Sequence, residues 1–271
     1  MKFENCKVFN MEGAIRGMRN PKNSWHLSDS YFNIIDDYDE GILDVADAWV
    51  KYFDPDLPFD DDKWKEYSAA QEKWTDYLLK NGILSEDKNY QYKEVAFIGP
   101  KDMKLAQQLI SGGSEHRKFL RQIFVSIDIT APLYWWKEFD TYKVATAANS
   151  TSTMHKLTSK PITLDCFEID DLNDENLEIG NYNCLKFMYN QIINDCESLR
   201  QKYLETQDVR YWKELVRWLP EGWLQTRTWT GDYETLHSMY HQRKNHKLTE
   251  WHQFCDFIKT LPYAEEFIII D

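Results

Sequence analysis

Glycine and proline are scarce, ten and eight in 271 residues. None of the glycines falls into G-x-x-x-x-G-K-[ST], G-x-G-x-x-G or G-x-S-x-G. The simplest phosphate-loop, dinucleotide-fold and nucleophile-elbow readings therefore lose their basis. Cysteine is sparse too. Cys6, Cys166, Cys184, Cys196 and Cys255 are odd in number, scattered and without a C-x-x-C pair. That pattern argues against a disulfide framework and a cysteine zinc site, and a reduced, cytoplasmic setting is expected. No apolar run reaches the roughly 18 residues of a membrane helix, and Met1-Lys2-Phe3-Glu4-Asn5 has no apolar leader core. Basic residues are outnumbered, 32 against 45 acidic, for a net charge of −13. Such a chain is poorly suited to a nucleic-acid polymer, whose affinity depends on many phosphate contacts.

Aromatic side chains are abundant, with 11 Trp, 16 Tyr and 14 Phe. They fill large cores, and they also supply interface anchors and stacking surfaces for flat rings. Charge is uneven along the chain. Residues 29–94 hold eighteen acidic against seven basic side chains, whereas 100–160 hold nine basic against five acidic. A basic island in an acidic protein suits a small anionic ligand.

Hydrophobic periodicity predicts helices over 42–53, 62–80, 100–110, 114–122, 131–145, 185–203, 209–219, 233–242 and 248–260. Extended segments are expected near Lys7–Phe9, at 124–130 and at 223–229. A turn is expected at 13–21, a polar loop at 149–153, and 95–98 is too short to assign. The expected fold class is α+β, mostly helical in a single domain with a small sheet. The divisions expected are an acidic helical region over 1–95 and a core over 96–271.

Two stretches carry chemistry. The first runs from His116 through Ala131-Pro132 and a Trp-rich helix with Lys137, Glu138 and Lys143 into Asn149-Ser150-Thr151-Ser152. Fixed charges followed by neutral donors are what phosphate or ring recognition requires. A Trp-anchored core helix with solvated charges is the competing structural reading. The second stretch holds Arg217, Arg227 and Arg243 around Leu219-Pro220 and Trp229-Thr230, and guanidinium forks suit phosphate. His237 and His241 are four apart but lack the carboxylate of an H-E-x-x-H pattern, so no metal is expected.

In order and spacing these stretches resemble the flavin-dependent thymidylate synthases. The match runs through His116, Ala131-Pro132, Lys137-Glu138-Phe139, Thr141-Tyr142-Lys143 and the Asn149–Ser152 loop. It continues with Arg217, Leu219-Pro220, Trp229-Thr230 and an Arg243 thirteen residues beyond that Thr. The resemblance covers roughly residues 100–260. It implies FAD, a pyrimidine deoxynucleotide such as dUMP, NADPH and methylenetetrahydrofolate as co-substrates, and a homotetramer. It implies that His116, Tyr142, Lys143, Asn149 and Asp232 hold the cofactor. Lys137, Glu138, Ser150, Ser152, Arg217 and Arg243 would hold the nucleotide, with Arg243 also polarising the pyrimidine.

The chain departs from the family pattern at several points. The Arg-His-Arg expected on the first helix is reduced to one cation, Lys143. The glutamine position is Glu138, which favours a donor-bearing base such as cytosine. The arginine expected after Ser152 is Met154, and Asp232 and Glu234 stand where Asn and Arg are expected. Three functions compete on these residues: a divergent flavin enzyme, a flavin- or nucleotide-binding protein without turnover, and an interaction protein docking through its acidic N-terminal third.

Overall fold

Alternation between apolar and polar residues over 124–130 places every second side chain on one face of a strand. The computed structural model, which describes residues 1–35, 93–169 and 185–270, shows this directly. Ile127, Ile129 and Ala131 are fully buried, while Ser126, Asp128 and Thr130 between them are partly exposed. In chain order the elements are β1 (Lys2–Phe9), α1 (Met11–Arg19), β2 (Tyr31–Ile35), β3 (Lys93–Phe97), α2 (Pro100–Ser111), β4 (Phe124–Pro132), α3 (Leu133–Phe139), β5 (Ala147–Ser150), α4 (Leu185–Thr206), α5 (Val209–Trp218), β6 (Leu224–Asp232), α6 (Tyr233–Arg243) and α7 (Thr249–Lys259). A four-stranded sheet has the order β1-β4-β6-β5, and β2 pairs antiparallel with β3. The protein is α+β and mostly helical, as its sequence pattern predicts. Among the described residues, no helix is long and apolar enough to cross a membrane. Cys6, Cys166, Cys196 and Cys255 are free thiols.

The chain forms two units. The first comprises Met1–Lys7, Ser126–Gly231 and Lys247–Gln253. On one sheet face of this unit, threonines and polar partners form a ladder. Thr130 meets Thr226 at 2.7 Å, and Asp128 accepts from Asn5 and from Thr228. These two hydrogen bonds lower the Asp128 pKa from its ordinary value. The opposite face is aromatic. Trp135, Trp136 and Phe139 of α3 are buried together with Trp229 of β6 and Trp251 of α7. Trp135 lies 4.9 Å from Trp251 between ring centroids, and Phe139 meets Trp229 edge-on at 5.6 Å. Amide groups at the start of α3 lack helical partners; those of Leu133 and Tyr134 donate instead to the carbonyls of Trp223 and Glu221.

A satellite core in the same unit joins Leu157, Ile162, Phe167, Ile193, Cys196 and Leu215 beneath the α4–α5 hairpin. Glu197 ties it together. Its carboxylate accepts both Nε and Nη2 of Arg200 at 2.7 Å, and the backbone N–H of Ile162 at 2.7 Å.

The second unit comprises Val8–Val125, Asp232–His246 and Phe254–Asp271. Its core includes Ile15, Ala106, Leu120, Tyr233, Leu236, Phe254 and Phe267. The Asp102 carboxylate is fully buried; it pairs with Arg19 and accepts the hydroxyls of Ser28 and Ser30. Asp29 caps the start of α2 by accepting the N–H groups of Lys101 and Asp102.

Several local expectations need correction. Residues 11–19 form a helix, where glycine and arginine pointed to a turn. Its Met11, Ala14, Ile15 and Met18 repeat at helical spacing and are buried, so periodicity outweighed the two glycines. The expected helix at 114–122 is a 3-10 segment confined to Lys118–Gln122. The helix expected to reach about 145 stops at Phe139. Thr141 Oγ1 takes the carbonyl of Glu138 and Thr146 Oγ1 that of Tyr142. Side-chain hydroxyls thus compete for the acceptors that a longer helix needs. Part of the expected polar loop is strand β5. The helices expected at 42–53 and 62–80 lie outside the described residues.

Arg200 and the Ile162 amide pull the Glu197 pKa from 4.5 down to about 2. A depressed carboxylate stabilises the fold above its unfolded pKa, and that contribution is lost as pH falls through the folded value. Glu197→Gln should therefore lower Tm relative to the native chain near neutral pH. The gap should close between about pH 4.5 and about pH 2, and a gap independent of pH in calorimetry would contradict this role.

Candidate functional site

Trp229 sits on β6 between Gln225 and Arg227 on one side and Gly231 on the other, and residues two apart share a strand face. The glycine is required here. A Cβ at position 231 would stand 2.2 Å from Cζ2 of the Trp229 indole, which leans along the strand over it. Across the antiparallel pair, Ala148 of β5 is in register with Trp229, and Ser150 with Arg227. Opposite the largest side chain, β5 offers only a methyl group. The space so left is a cleft of about 280 Å³ within the first unit, lined by Phe139, Asp140, Tyr142, Lys143, Thr146, Ala148 and Trp229.

The cleft walls are aromatic: Phe139 and Trp229 are buried and Tyr142 is half-buried. Its polar groups are few. The indole Nε1–H of Trp229 is buried and has no hydrogen-bond partner among the described residues. A buried donor without an acceptor costs about 1–3 kcal/mol. Lys143 contributes an exposed ammonium group at the rim, and Asp140 an exposed carboxylate. Asp140 Oδ1 accepts from Arg227 Nη1 at 2.6 Å. Aromatic walls, one cation and one carboxylate can hold a flat ring with an anionic substituent.

The residues singled out in the sequence are distributed unevenly. Tyr142 and Lys143 line the cleft. Asn149 and Ser150 are exposed on β5, paired in register with Thr228 and Arg227. Ser152 caps the short helical turn Thr153–Lys156 by accepting the His155 amide. Glu138 accepts the Trp251 indole N–H at 3.1 Å. Lys137 pairs with Glu221 at 2.6 Å, and Arg217 pairs with Glu214, both on the surface. His116, Asp232 and Arg243 belong to the second unit. His116 is exposed in the turn after α2, and its ring packs 3.1 Å from where a Cβ on Gly112 would stand. Asp232 is buried and caps α6, accepting the Thr235 amide at 2.7 Å. Arg243 is half-buried in the last turn of α6. Among the described residues, no group of three or more His, Cys, Asp or Glu could hold a metal, and the His237 and His241 rings lie tilted at 44° with centroids 4.5 Å apart.

Sequence reasoning missed Phe139, Asp140, Thr146 and Ala148 as parts of the site. Trp229 was visible as half of a Trp-Thr pair, without a role. The missing signal is the Ala148–Trp229 register, which pairs residues 81 positions apart and leaves no local trace.

No protein-family model and no curated protein matches this chain. Among solved structures it is similar to the flavin-dependent thymidylate synthase ThyX from Helicobacter pylori complexed with FAD and dUMP, at 14% identity and a TM-score of 0.46. That match covers 75% of this chain and 92% of the other. A second structure of the same enzyme, with FAD and dUMP, is similar at 14% identity and a TM-score of 0.45, covering 74% and 89%.

Because Gly231 lets the indole lie flat, Gly231→Ala should push Trp229 into the cleft. Overpacking of this kind costs about 1–3 kcal/mol. The expected outcome is a lower denaturation midpoint and a changed tryptophan emission. An unaltered midpoint would show that the close approach to Gly231 is not required.

Proposed function

We propose that this chain binds FAD and uses it in one-carbon transfer to a pyrimidine deoxynucleotide, dUMP or a related base, as a divergent thymidylate synthase-like enzyme. The observation that carries the reading is an aromatic cleft walled by Phe139, Tyr142 and Trp229 with the exposed Lys143 at its edge. Tyr142 and Lys143 were picked out for the cofactor from motif order alone. The fit to a flavin is chemical. Phe139, Tyr142 and Trp229 offer apolar ring surface, and Lys143 offers a cation for a phosphate. Bound flavin would supply the two-electron chemistry, with NADPH as reductant and methylenetetrahydrofolate as the carbon source. The chain's own residues would hold the ring and keep water from the indole side of the cleft. The sequence resemblance further assigns His116 and Asp232 to the cofactor and Arg243 to the pyrimidine, and these assignments belong to the same proposal. Self-assembly into a homotetramer belongs to the same reading. Phe187, Val209 and Trp218 on the α4–α5 hairpin are each more than 60% exposed, and buried interfaces draw on such side chains.

A second reading, a flavin- or nucleotide-binding protein without turnover, is favoured by a specific observation. Lys137, Glu138, Ser152 and Arg217, all assigned to the nucleotide from the sequence, engage other residues of the chain. Reduction by NADPH followed by nucleotide- and folate-dependent reoxidation separates the two. Reoxidation that never becomes nucleotide-dependent supports the binding protein.

Titration with FAD should quench flavin fluorescence, and Lys143→Ala together with Tyr142→Ala should weaken that binding. No quenching at saturating protein would remove the flavin reading. Arg243→Ala should weaken nucleotide binding by roughly ten- to a hundredfold, the loss of one charge-assisted contact. Unaltered calorimetric affinity would make Arg243 ordinary surface.

A further inference from the structure

Four of the seven residues that line the cleft, Asp140, Tyr142, Lys143 and Thr146, come from the loop between α3 and β5. The cleft keeps its shape only while that loop keeps its place. Hydrogen bonds at the start of the loop are local. The Thr141 and Tyr142 amides donate to the carbonyls of Glu138 and Phe139 at 3.1 and 3.0 Å. Thr146 Oγ1 then closes a turn on the Tyr142 carbonyl at 2.9 Å. Inside this turn Ala145 has a φ of 56°. That left-handed conformation strains a residue with a Cβ and persists only where surrounding contacts impose it. A turn closed on itself moves as one piece, so its place depends on how its ends are fastened.

Both ends are fastened to β6. At one, Ala147 pairs in register with Thr230. At the other, Asp140 Oδ1 accepts from Arg227 Nη1 at 2.6 Å. Between them Tyr142 meets Trp251 edge-on, 6.1 Å between centroids. Arg227 is prepared for its part. Its side chain is only 16% exposed, and its guanidinium carbon stands 4.2 Å from the Trp136 ring centroid. Its Nε donates to Gln225 Oε1 at 3.0 Å, and Gln225 Nε2 donates to the Thr151 carbonyl at 2.9 Å. An exposed ion pair is weak partly because two mobile side chains must be ordered to form it. Here stacking and a planar fork have already ordered the cation, and only Asp140, 52% exposed, has to be captured.

We infer that Arg227 is the positioning residue of the cleft. It stands outside the lining and acts through Asp140, holding the 140–146 loop against the strain at Ala145 so that Tyr142 and Lys143 stay in the cleft wall. That the cleft receives a flavin rests on the reading above; that Arg227 sets its wall does not.

Two readouts on the full chain test this: hydrogen exchange of the backbone amides over 140–147 without ligand, and FAD affinity by flavin fluorescence. Arg227→Gln and Asp140→Ala should each speed the exchange. Each should also weaken FAD binding roughly two- to thirtyfold, the usual span for a residue that acts without touching the ligand. Combined, they should cost no more than either alone, because both cut the same contact. Arg227→Lys, which keeps a cation within reach of Asp140, should fall between the native chain and Arg227→Gln. Ala145→Gly should return part of the binding lost in Arg227→Gln, since an opened turn then gains nothing by relaxing that residue. Near-ultraviolet circular dichroism reports whether the aromatic face survives in Arg227→Gln. If it does not, Asp140→Ala at its half-exposed position carries the same test. Its sign is also decisive, because removing an anion beside an anionic ligand tightens binding unless the carboxylate holds the wall. Unchanged exchange in Asp140→Ala, additive losses in the combined variant, or tighter FAD binding by Asp140→Ala would overturn the inference. If the native chain binds no FAD, the flavin reading falls and the exchange rates alone decide the role of Arg227.

Discussion

The close approach of the Trp229 indole to Gly231 sets both the packing of the first unit and the shape of its cleft. Because the ring lies along its own strand, it fills the sheet face beneath α3 and meets Phe139 edge-on. It leaves the space above Ala148 unfilled. A side chain at 231 would displace the ring, and a larger side chain at 148 would fill the gap. The same indole carries a buried N–H that finds no acceptor among the described residues. Buried polar groups in native proteins are nearly always paired, so an exception calls for a ligand, a water or a functional reason.

Electrostatics near the cleft run against the character of the whole chain. The sequence carries a net charge of −13, but Lys143 and the fixed guanidinium of Arg227 lie on or beside the cleft. Lys143 has no acidic partner among the described residues, whereas Lys137 pairs with Glu221, Arg217 with Glu214 and Arg227 with Asp140. An anionic ligand therefore meets one uncommitted cation at the rim and no large positive field. That arrangement suits recognition of a single small molecule better than docking on a polymer.

Much of the architecture was legible because local pattern and tertiary packing agree. Alternation from Phe124 marks β4, a proline start and a double glycine bracket α2, and the periodic stripe of α7 matches its buried face. Legibility failed where side chains compete with backbone or where partners are distant. Threonines 141 and 146 cut α3 short by claiming helical carbonyls. Strand β5, all of it exposed, owes its form to pairing with β6 and not to its own sequence. The same distinction divides the site. Tyr142 and Lys143 follow from motif order, whereas Asp140, Ala148 and the role of Trp229 depend on a cross-strand register that no local window contains. Lys137, Glu138 and Ser152, which the family resemblance assigns to the nucleotide, engage nearby structural groups.

The central claim is that the aromatic cleft walled by Phe139, Tyr142 and Trp229 receives a flavin ring. Its most direct test is the absorption spectrum of the protein after incubation with FAD and removal of free ligand, recorded for the native chain and for Tyr142→Ala combined with Lys143→Ala. The account predicts a retained flavin band in the native protein and a much weaker one in the variant, which lacks one ring wall and the cation at the cleft edge. Retention of FAD to the same extent in both, or in neither, would contradict it.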